Sequence, residues 1–250
     1  MSNDTTFRNY TPAQVKKYGE RRGGYALALI NEVIASHARN GGSFGCLVYV
    51  GCGPGNATRD LALHFDRAVG IDPSLEMITL AERSGGRSIS HPIQFLHDDA
   101  ESCRDIPDKS VDLINSATAA HWFDMDRFWH TADRVLKANG TVAFLTIWRI
   151  YVHPLKTAHA NEIQNMLFEL EQETLGPYQK PGNWNLMGLY NDFQMPWSLS
   201  PACESFSKSR YQRQVWNENG VAGDDGTYVC SERLTTLHDA EKAIATISAV

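Results

Sequence analysis

Three glycines at alternating positions follow a short apolar run early in the chain. They are Gly51, Gly53 and Gly55. The run 47–50 before them suits a buried parallel strand, and residues 56–63 after them read as the opening of a helix. Glycine adopts positive φ angles and lets a ligand approach the backbone where a Cβ atom would clash. A strand, a glycine loop and a helix in this order predict a binding site for a nucleotide-like ligand.

Two acidic residues follow the next two predicted strands. Asp72 ends the second strand, 21 residues beyond Gly51, and Asp99 comes directly after the third. The carboxyl ends of parallel strands meet at one edge of a sheet, so the glycine loop and both acids should share one crevice. A carboxylate at Asp72 can accept both hydroxyls of a ribose. Asp99, with the backbone amide of Ala100, is placed to bracket the edge of an adenine.

The glycine spacing distinguishes between two kinds of nucleotide ligand. The dinucleotide fingerprint G-x-G-x-x-G would need a glycine at position 56, where this chain has Asn56. The G-x-G-x-G spacing found here suits a ligand whose zwitterionic amino-acid tail lies over the loop, rather than a pyrophosphate docked on a helix end. The sequence therefore favours S-adenosylmethionine over NAD. The alternative is a structural turn in which Asp72 only caps the next helix.

Alternating strands and helices would hold these groups in place. The predicted strands cover residues 46–50, 68–72, 93–96, 111–115 and 141–148. The predicted helices cover residues 13–39 with a break near Gly23-Gly24, residues 56–65, a stretch opened by Pro73-Ser74, and residues 125–137 before the stop signal Asn139-Gly140. Repeated β-α units of this length are typical of an α/β fold with a doubly wound, mostly parallel sheet.

The pattern changes after Trp148, where we expect a helical and aromatic cap. A helix near 155–175 ends at Gly176-Pro177, an aromatic-rich stretch covers 178–197, a strand-like run covers 210–216 and a last helix covers 237–249. We expect a single domain over residues 1–250. Its parts are an N-terminal lid and helix (1–40), a cofactor-binding core (41–148), a cap insertion (149–209) and an incomplete C-terminal part (210–250).

Composition narrows the classes of partner and location. The chain has 250 residues, and 23 basic against 29 acidic residues give a net charge of −6, which argues against binding to the nucleic-acid backbone. No apolar segment approaches the ~20 residues of a membrane span, and residues 1–25 are too polar for a secretory signal. The five scattered cysteines form no CxxC pair, and His97, His153 and His159 have no partners at metal-ligand spacing. We expect a cytoplasmic protein with free thiols and no metal.

Four short motifs together resemble a known family. They are residues 48–55, residues 70–74 with Met77, Ala120-His121-Trp122-Phe123-Asp124, and Leu175-Gly176-Pro177-Tyr178 followed by Pro181-Gly182. The chain resembles the class I S-adenosylmethionine-dependent methyltransferases, and more closely the trans-aconitate methyltransferase group and related fungal small-molecule enzymes. The likeness runs from about residue 10 to residue 190. It implies a Rossmann-like methyltransferase fold, S-adenosyl-L-methionine as the cofactor and a small molecule as the substrate.

The resemblance also implies roles for individual residues. The cofactor would be bound by Tyr18, Arg22, Gly51, Cys52, Gly53, Asp72, Pro73, Met77, Asp99, Ala100, Ala117 and Thr118. The substrate pocket would be lined by Tyr25, His121, Trp122, Trp148, Tyr178 and Trp184. An N-terminal segment folds over the cofactor in such enzymes, so Tyr18, Arg22 and Tyr25 are lid candidates.

His121 is the best-placed titratable group for catalysis. Methyl transfer from a sulfonium is an in-line displacement, in which the protein mainly aligns the reactants and excludes water. A carboxylate acceptor needs no general base because it is ionised at neutral pH, whereas a phenol, enol or hydroxyl acceptor needs one. His121 is our candidate for this base. The alternative is a structural histidine that bonds a backbone carbonyl and holds the loop after the fourth strand.

The C-terminal part departs from the family pattern. The last antiparallel strand of the fold should follow the final helix, and the chain ends before it. We expect that this strand is missing, and that the sheet either has a gap or is completed by residues 227–235 or by a second subunit. An unfinished sheet edge favours pairing with another copy of the chain, so we expect a homodimer.

The leading functional prediction is transfer of a methyl group to an oxygen, in a carboxylate or an enol, of a small organic acid or a secondary metabolite. A second hypothesis keeps the bound cofactor without methyl transfer, as in an isomerase, a cyclase or a partner subunit. An NAD-dependent dehydrogenase is the third hypothesis. We expect neither nucleic acid nor a membrane as a partner.

Overall fold

The computed structural model of the protein describes residues 8–21, 24–147, 149–222 and 228–229. These residues form a five-stranded parallel sheet with helices packed on both faces. The strands are β1 (Cys46–Val50), β2 (Arg67–Asp72), β3 (Gln94–His97), β4 (Val111–Ala117) and β5 (Leu136–Leu145). The helices are α1 (Pro12–Arg21), α2 (Leu27–Arg39), α3 (Asn56–Ala62), α4 (Leu75–Ser84), α5 (Met125–Val135), α6 (Ala160–Glu169) and α7 (Pro181–Met187).

The strand order places β1 at the centre of the sheet. The order is β3-β2-β1-β4-β5, and all the pairings between neighbouring strands are parallel. The chain therefore winds outward from β1 in one direction and then in the other, and the direction switches between β1 and β4. Ligands of open α/β sheets bind at this switch point, beyond the carboxyl ends of the strands. The doubly wound α/β fold predicted from the sequence is confirmed.

The hydrophobic core has two halves, one on each face of the sheet. Leu47 and Tyr49 of β1 belong to the half that contains α2, α3 and α4, whereas Val48 and Val50 belong to the half that contains α5. Every residue of β1 is buried. Strands buried on both faces read as continuous apolar runs, which explains why the run before the glycines predicted this strand correctly.

The prediction at the end of α5 is wrong. The helix ends at Val135, and Asn139 and Gly140 lie inside β5 rather than after a helix. Asn139 has a φ angle of 61°, and the register between β4 and β5 shifts between Val111 and Leu113. The left-handed residue forms an irregularity in the strand, because asparagine tolerates this conformation better than most residues.

Two further predictions after β5 need correction. The helix predicted near 155–175 is shorter, since α6 is followed by a π-type turn at Leu170–Thr174. The strand predicted over 210–216 is not formed, and these residues run exposed and pair with no strand of the described sheet. Gln212 accepts a hydrogen bond from Ser36 at 3.1 Å. Gln214 likewise donates to Glu32 at 3.0 Å, so both glutamine side chains reach α2 instead of facing a sheet.

The segment that follows α7 returns to the core. The indole nitrogen of Trp129 on α5 donates to the carbonyl of Gln194 at 2.8 Å. The ring of Phe206 contacts the Trp129 ring edge-on, with 5.1 Å between the centroids. Leu199 and Cys203 are buried in the same half of the core. Part of the predicted cap insertion is therefore packed against the cofactor-binding core.

β5 is the outermost strand on its side of the sheet in the described part of the chain. The additional antiparallel strand of the family pattern is not formed within those residues. Most of the segment 227–235 and the whole predicted helix 237–249 lie outside the described residues. None of the described helices combines the length and the apolar character needed to cross a membrane.

Candidate functional site

The glycine loop after β1 has three residues with positive φ angles. They are Gly51 at 67°, Gly53 at 52° and Gly55 at 82°. A Cβ atom on Gly51 would lie 2.5 Å from the Cβ of Ala119, and one on Gly55 would lie 2.7 Å from the ring of Phe95. A Cβ on Gly53 would meet nothing within 4 Å. Two glycines are therefore required by packing, whereas Gly53 faces open space in which a ligand can contact the backbone.

Asp72 ties the glycine loop to the end of β2. Its Oδ2 atom accepts a hydrogen bond from the Gly53 amide at 2.8 Å, and its Oδ1 atom accepts one from the Ser74 amide at 2.9 Å. The residue is only 7% exposed. Burial raises the pKa of Asp72 to about 6, although the two amide bonds act in the opposite direction. The carboxylate is therefore mostly ionised at neutral pH, and each oxygen keeps capacity for a further donor.

The first turn of α4 supports this carboxylate. Ser74 caps the helix, accepting from the amide of Met77 at 3.4 Å, and Met77 is buried. The carbonyl of Pro73 accepts a hydrogen bond from Nε2 of His97 at the end of β3, at 3.0 Å. Cys52 is buried, and its amide donates to the carbonyl of Ile71 at 3.0 Å, which extends the pairing of β1 with β2. These contacts hold the glycine loop and the first turn of α4 in place beside Asp72.

The turn after β3 contains two neighbouring acids, Asp98 and Asp99, whose surroundings differ. Asp98 accepts hydrogen bonds from the amides of Asp99 and Arg104 at 2.9 and 2.7 Å. Burial alone would raise the pKa of Asp98, but its hydrogen bonds, led by that from Ser102, lower it overall. Asp98 therefore stabilises the turn, while Asp99 is half-exposed beside the buried Ala100.

Arg8 reaches Asp99 from the N-terminal arm. Its Nη2 atom lies 2.6 Å from Oδ1 of Asp99, across 91 residues of sequence. The positive charge of Arg8 also acts on Asp72. Sequence analysis did not identify this arginine, because an isolated charge in a polar arm has no periodic pattern that would reveal its partner.

Helix α1 lies against the glycine loop and α4. A Cβ on Gly19 would lie 3.2 Å from the side chain of Leu80 and 3.7 Å from Pro54. The ring of Tyr18, the neighbouring lid candidate, makes an edge-on contact with Tyr10 at 6.3 Å. The structure thus brings the N-terminal segment to the predicted crevice. Arg22, the third lid candidate in the sequence, lies outside the described residues.

The end of β4 forms the other wall of the crevice. Ala117 is buried, and Thr118 has a φ angle of 53° with its amide bonded to the carbonyl of Leu145 at 2.9 Å. The hydroxyl of Thr118 lies 2.7 Å from the hydroxyl of Tyr25. A predicted lid residue and a predicted cofactor residue are therefore in direct contact.

His121 lies on a short 3-10 turn, Ala120–Trp122, just beyond this wall. It is 8% exposed, and its Nδ1 atom lies 3.2 Å from the hydroxyl of Tyr190. Its ring contacts the ring of Trp122, with 4.7 Å between the centroids. Sequence analysis did not select Tyr190 as a site residue, since it is one of several aromatics in the stretch 178–197. Trp148, predicted to line the pocket, lies outside the described residues.

Helix α7 packs on the turn that carries His121. A Cβ on Gly182 would lie 2.8 Å from the His121 carbonyl and 2.8 Å from the ring of Trp122. Tyr178 and Trp184 are 68% and 55% exposed, and their predicted place in the substrate pocket stays a prediction.

A large cleft runs along β5 beside the cofactor crevice. Its volume is about 1830 Å³, and its walls include Tyr25, Leu29, Phe144, Thr146, Tyr190 and Trp216. Gly53, Asp72 and Asp99 do not line it. Single ligand pockets have volumes of ~300–1,000 Å³, so this cleft is larger than one enclosed pocket. It meets the site at Tyr25 and Tyr190, which places it on the side of Thr118 and His121.

The residues around the crevice fit an adenosyl ligand with an amino-acid tail. Gly53 leaves space over the loop, and the buried, ionised Asp72 can accept the hydroxyls of a ribose. Asp99 follows at the next strand end with the amide of Ala100 beside it. The ends of β1 and β2 thus bring Gly53 and Asp72 into contact, and Arg8 lies near both Asp72 and Asp99.

Comparison with known proteins gives the same family. Residues 48–144 match a family model described as a methyltransferase domain. The chain is 35% identical over 138 residues to the Saccharomyces cerevisiae protein CRG1, assigned as an S-adenosylmethionine-dependent methyltransferase. The match covers 55% of this chain and 45% of that protein. The chain is also 34% identical over 127 residues to a Dictyostelium discoideum protein assigned as a methyltransferase. This match covers 51% of this chain and 44% of that protein.

A solved structure from Anaeromyxobacter dehalogenans, assigned as a type II methyltransferase, is also similar. The identity is 27% and the TM-score is 0.55, over 70% of this chain and 67% of that one. By contrast, the chain spans about half the length of the two curated relatives described above. The narrower likeness to the trans-aconitate group stays a prediction. The sheet order, the glycine loop and these matches identify residues 48–144 as a methyltransferase domain of the class I S-adenosylmethionine-dependent type, whose cofactor is S-adenosylmethionine.

Proposed function

We propose that the chain transfers the methyl group of S-adenosylmethionine to an oxygen, in a carboxylate or an enol, of a small organic acid or a secondary metabolite. The observation that carries the choice of oxygen is the buried hydrogen bond between His121 and Tyr190. It lies just after β4, next to Thr118 and beside the large cleft. An imidazole at this position can remove the proton of an enol or hydroxyl acceptor.

Cofactor binding falls to the groups at the strand ends. Asp72 would accept the ribose hydroxyls, the backbone at Gly53 would lie under the amino-acid tail, and Asp99 with Ala100 would bind the adenine edge. The bound cofactor supplies a methyl group on a positively charged sulfur, which is already a strong electrophile. The protein therefore contributes mainly orientation and exclusion of water.

The acceptor side is shaped by residues that the structure holds firmly. The Tyr25–Thr118 hydrogen bond closes the N-terminal segment over the end of β4. An enol or hydroxyl acceptor would lose its proton to His121 as the new oxygen–carbon bond forms. A carboxylate acceptor is ionised at neutral pH and would use only the orientation. The same residues thus support both acceptor types with different demands on His121.

A second candidate is a protein that binds the cofactor without transferring its methyl group, as in an isomerisation, a cyclisation or a partner subunit. Its support is the outermost position of β5 in the described sheet, where the family pattern has further strands. Such a sheet edge leaves the cleft wide, and a wide cleft holds an acceptor less firmly than an enclosed pocket. We rank this candidate second because the matched domain is that of methyltransferases.

The experiment that separates the two is incubation with methyl-labelled S-adenosylmethionine and a panel of carboxylic acids, enols and phenols. Label in a product ester or ether supports the proposed function, and label that remains in the cofactor supports the second candidate. Asp72→Ala should lose the activity together with cofactor binding. Asp108→Ala is the matched control, since Asp108 is an exposed carboxylate in the turn before β4, at the opposite edge of the sheet.

We also propose a cytoplasmic location and a homodimer. The location is supported by Cys46, Cys52, Cys103 and Cys203, which are buried free thiols and therefore suit a reducing compartment. The homodimer is supported by the outermost position of β5 within the described sheet. Sedimentation velocity across a range of concentrations tests the second proposal, and a single monomer boundary at all of them would contradict it.

A further inference from the structure

Tyr190 and His121 lie 69 residues apart in the chain and share a hydrogen bond inside the site. Both side chains are buried. Tyr190 comes from the segment after α7, outside the motifs that carry the family resemblance. A long-range contact with the residue proposed as the base points to a function for the tyrosine hydroxyl.

The backbone at Tyr190 has a conformation that most residues avoid. Leu189 has a φ angle of 50° and Tyr190 has one of 62°. The amide of Tyr190 donates to the carbonyl of Asn185 in α7 at 3.0 Å. Successive non-glycine residues in the left-handed region persist only where the surrounding structure holds them, and such residues concentrate at functional sites. This turn directs the Tyr190 ring at the His121 loop.

Aromatic packing holds the ring in place. It stacks on Phe193, with 4.1 Å between the centroids and 20° between the planes, and meets the edge of Phe144 at 6.4 Å. Burial raises the pKa of Tyr190 above its ordinary value, so the hydroxyl stays protonated and uncharged at neutral pH. Tyr190 is thus a neutral hydrogen-bonding partner with a fixed orientation.

We propose that Tyr190 is a positioning residue that fixes the ring orientation and the tautomer of His121. In the proposed arrangement the Nδ1–H of His121 donates to the Tyr190 oxygen, which leaves the lone pair of the imidazole on Nε2. The use of that lone pair as a base rests on the proposed function. The hydrogen bond is present in the chain without cofactor, so the proposed tautomer can be tested without it.

The direct test is the imidazole ¹⁵N spectrum of the full chain without cofactor, recorded at about pH 8, where histidine is neutral. We expect the Nδ1–H tautomer for His121, with its signals assigned from His121→Asn. Tyr190→Phe keeps the stacked ring and removes the hydroxyl, so the His121 population should shift towards Nε2–H. Tyr211→Phe is the matched control, because Tyr211 is exposed and packs on Trp197, and should leave the His121 signals in place.

Kinetics provides the second test. With an enol or hydroxyl acceptor, Tyr190→Phe should lower kcat between about tenfold and hundredfold, with KM and the affinity for S-adenosylhomocysteine unchanged. In the His121→Ala background the same substitution should have no further effect, since the group that it positions is gone. An equal loss in both backgrounds would indicate a structural role and would overturn the proposal.

The failure of this inference is distinguishable from that of the proposed function. If no acceptor takes up labelled methyl, the proposed function fails, and the ¹⁵N spectra still decide the role of Tyr190. If the wild-type chain methylates an acceptor but the His121 tautomer is Nε2–H, or is the same in Tyr190→Phe, the inference about Tyr190 fails alone.

Discussion

Asp72 shows how burial and ligand binding oppose each other at a single side chain. The proposed ribose contact needs an ionised carboxylate, yet burial favours the protonated form and raises the pKa of Asp72 from 3.8 to about 6. A folded-state pKa above the unfolded value means that the folded chain holds the proton more tightly. The resulting contribution to stability is fully present below about pH 4 and is lost as the pH rises through about 6. It amounts to about 3 kcal/mol, since each pKa unit corresponds to ~1.4 kcal/mol.

The affinity for the cofactor product should follow the charge of this carboxylate. A protonated carboxyl has lost acceptor capacity for the ribose hydroxyls, so binding of S-adenosylhomocysteine should weaken by up to about tenfold per pH unit below pH ~6. Isothermal titration calorimetry between pH 5 and 8, a range of about three units around this pKa, measures the dependence.

The control for this prediction is Asp72→Asn, which has no titrating group at the position. We expect its affinity at neutral pH to be about ten- to a hundredfold lower, as a charged acceptor contributes ~1.5–3 kcal/mol. Its affinity for S-adenosylhomocysteine should also not change between about pH 5 and 7, because asparagine does not titrate. A slope that survives in this variant would assign the titration to another group.

At the scale of elements, the loop after β1 can be tested with a pair of glycines. Gly53 and Gly41 have φ angles of 52° and 76°, and a Cβ atom on either would meet nothing within 4 Å. Alanine at each position should lower the free energy of unfolding by a similar ~1–2 kcal/mol, because both are left-handed. Only Gly53→Ala places a methyl group in the crevice.

The expected result is that Gly53→Ala lowers the affinity for S-adenosylhomocysteine about tenfold or more, which corresponds to ~1.4 kcal/mol, while Gly41→Ala leaves it unchanged. Calorimetric titration gives the affinity, and thermal unfolding confirms that the two variants are equally destabilised. Equal affinities would show that the ligand does not lie over Gly53.

Arg59 connects the glycine loop with the end of α4. Its guanidinium donates to the carbonyls of Pro54 at 3.0 Å, Gly85 at 2.7 Å and Ala81 at 3.2 Å. Burial lowers the pKa of Arg59, which still remains charged. A lysine cannot reach three carbonyls in this fork-like geometry.

Arg59→Lys should therefore lower the free energy of unfolding by about 1–3 kcal/mol and weaken cofactor binding as well, since Pro54 belongs to the loop. Arg83→Lys on the exposed face of α4 is the matched control and should change neither quantity. Urea unfolding and calorimetric titration of both variants give the comparison. Normal cofactor binding in a destabilised Arg59→Lys chain would mean that the Arg59 hydrogen bonds stabilise α4 and not the glycine loop.

The elements near the site were predictable because their signals are local. The apolar run of β1 and the glycine loop follow from residue type and spacing, and the break between α1 and α2 lies where glycines interrupt the helical pattern. The signal at Asn139 misled because one residue type serves both as a helix stop and as an irregularity in a strand. Which of the two forms depends on the pairing of β5 with β4, and pairing is not encoded at position 139.

At the scale of the whole molecule, prediction fails for contacts between distant segments. Arg8 with Asp99 and His121 with Tyr190 join residues 91 and 69 positions apart. Neither pair has a periodicity or a motif, and each joins a strand-end loop to a segment outside the sheet, the N-terminal arm in one case and the segment after α7 in the other. The crevice could be predicted because its residues follow successive strands. The contact between His121 and Tyr190 could not be predicted, because it depends on where the segment after α7 folds back.

That same return of the chain predicts how the molecule unfolds. The segment 190–206 buries Leu199 and Cys203 against the α5 half of the core, and Phe206 contacts Trp129. Removing the segment would expose core surface, so it should not unfold on its own below the main transition. We therefore expect one cooperative transition, with intrinsic tryptophan fluorescence and the far-UV circular dichroism signal giving the same midpoint.

Saturating S-adenosylhomocysteine should raise that single midpoint and stabilise the chain by about 2.7 kcal/mol at a hundredfold excess over Kd. Phe206→Ala should lower both midpoints together, because the contact with Trp129 links the segment to the sheet. An earlier change in fluorescence than in circular dichroism would show that the segment after α7 is a separate unit. In that case the acceptor side could open while the cofactor crevice stays folded, and the position of Tyr190 beside His121 would depend on temperature and on the bound acceptor.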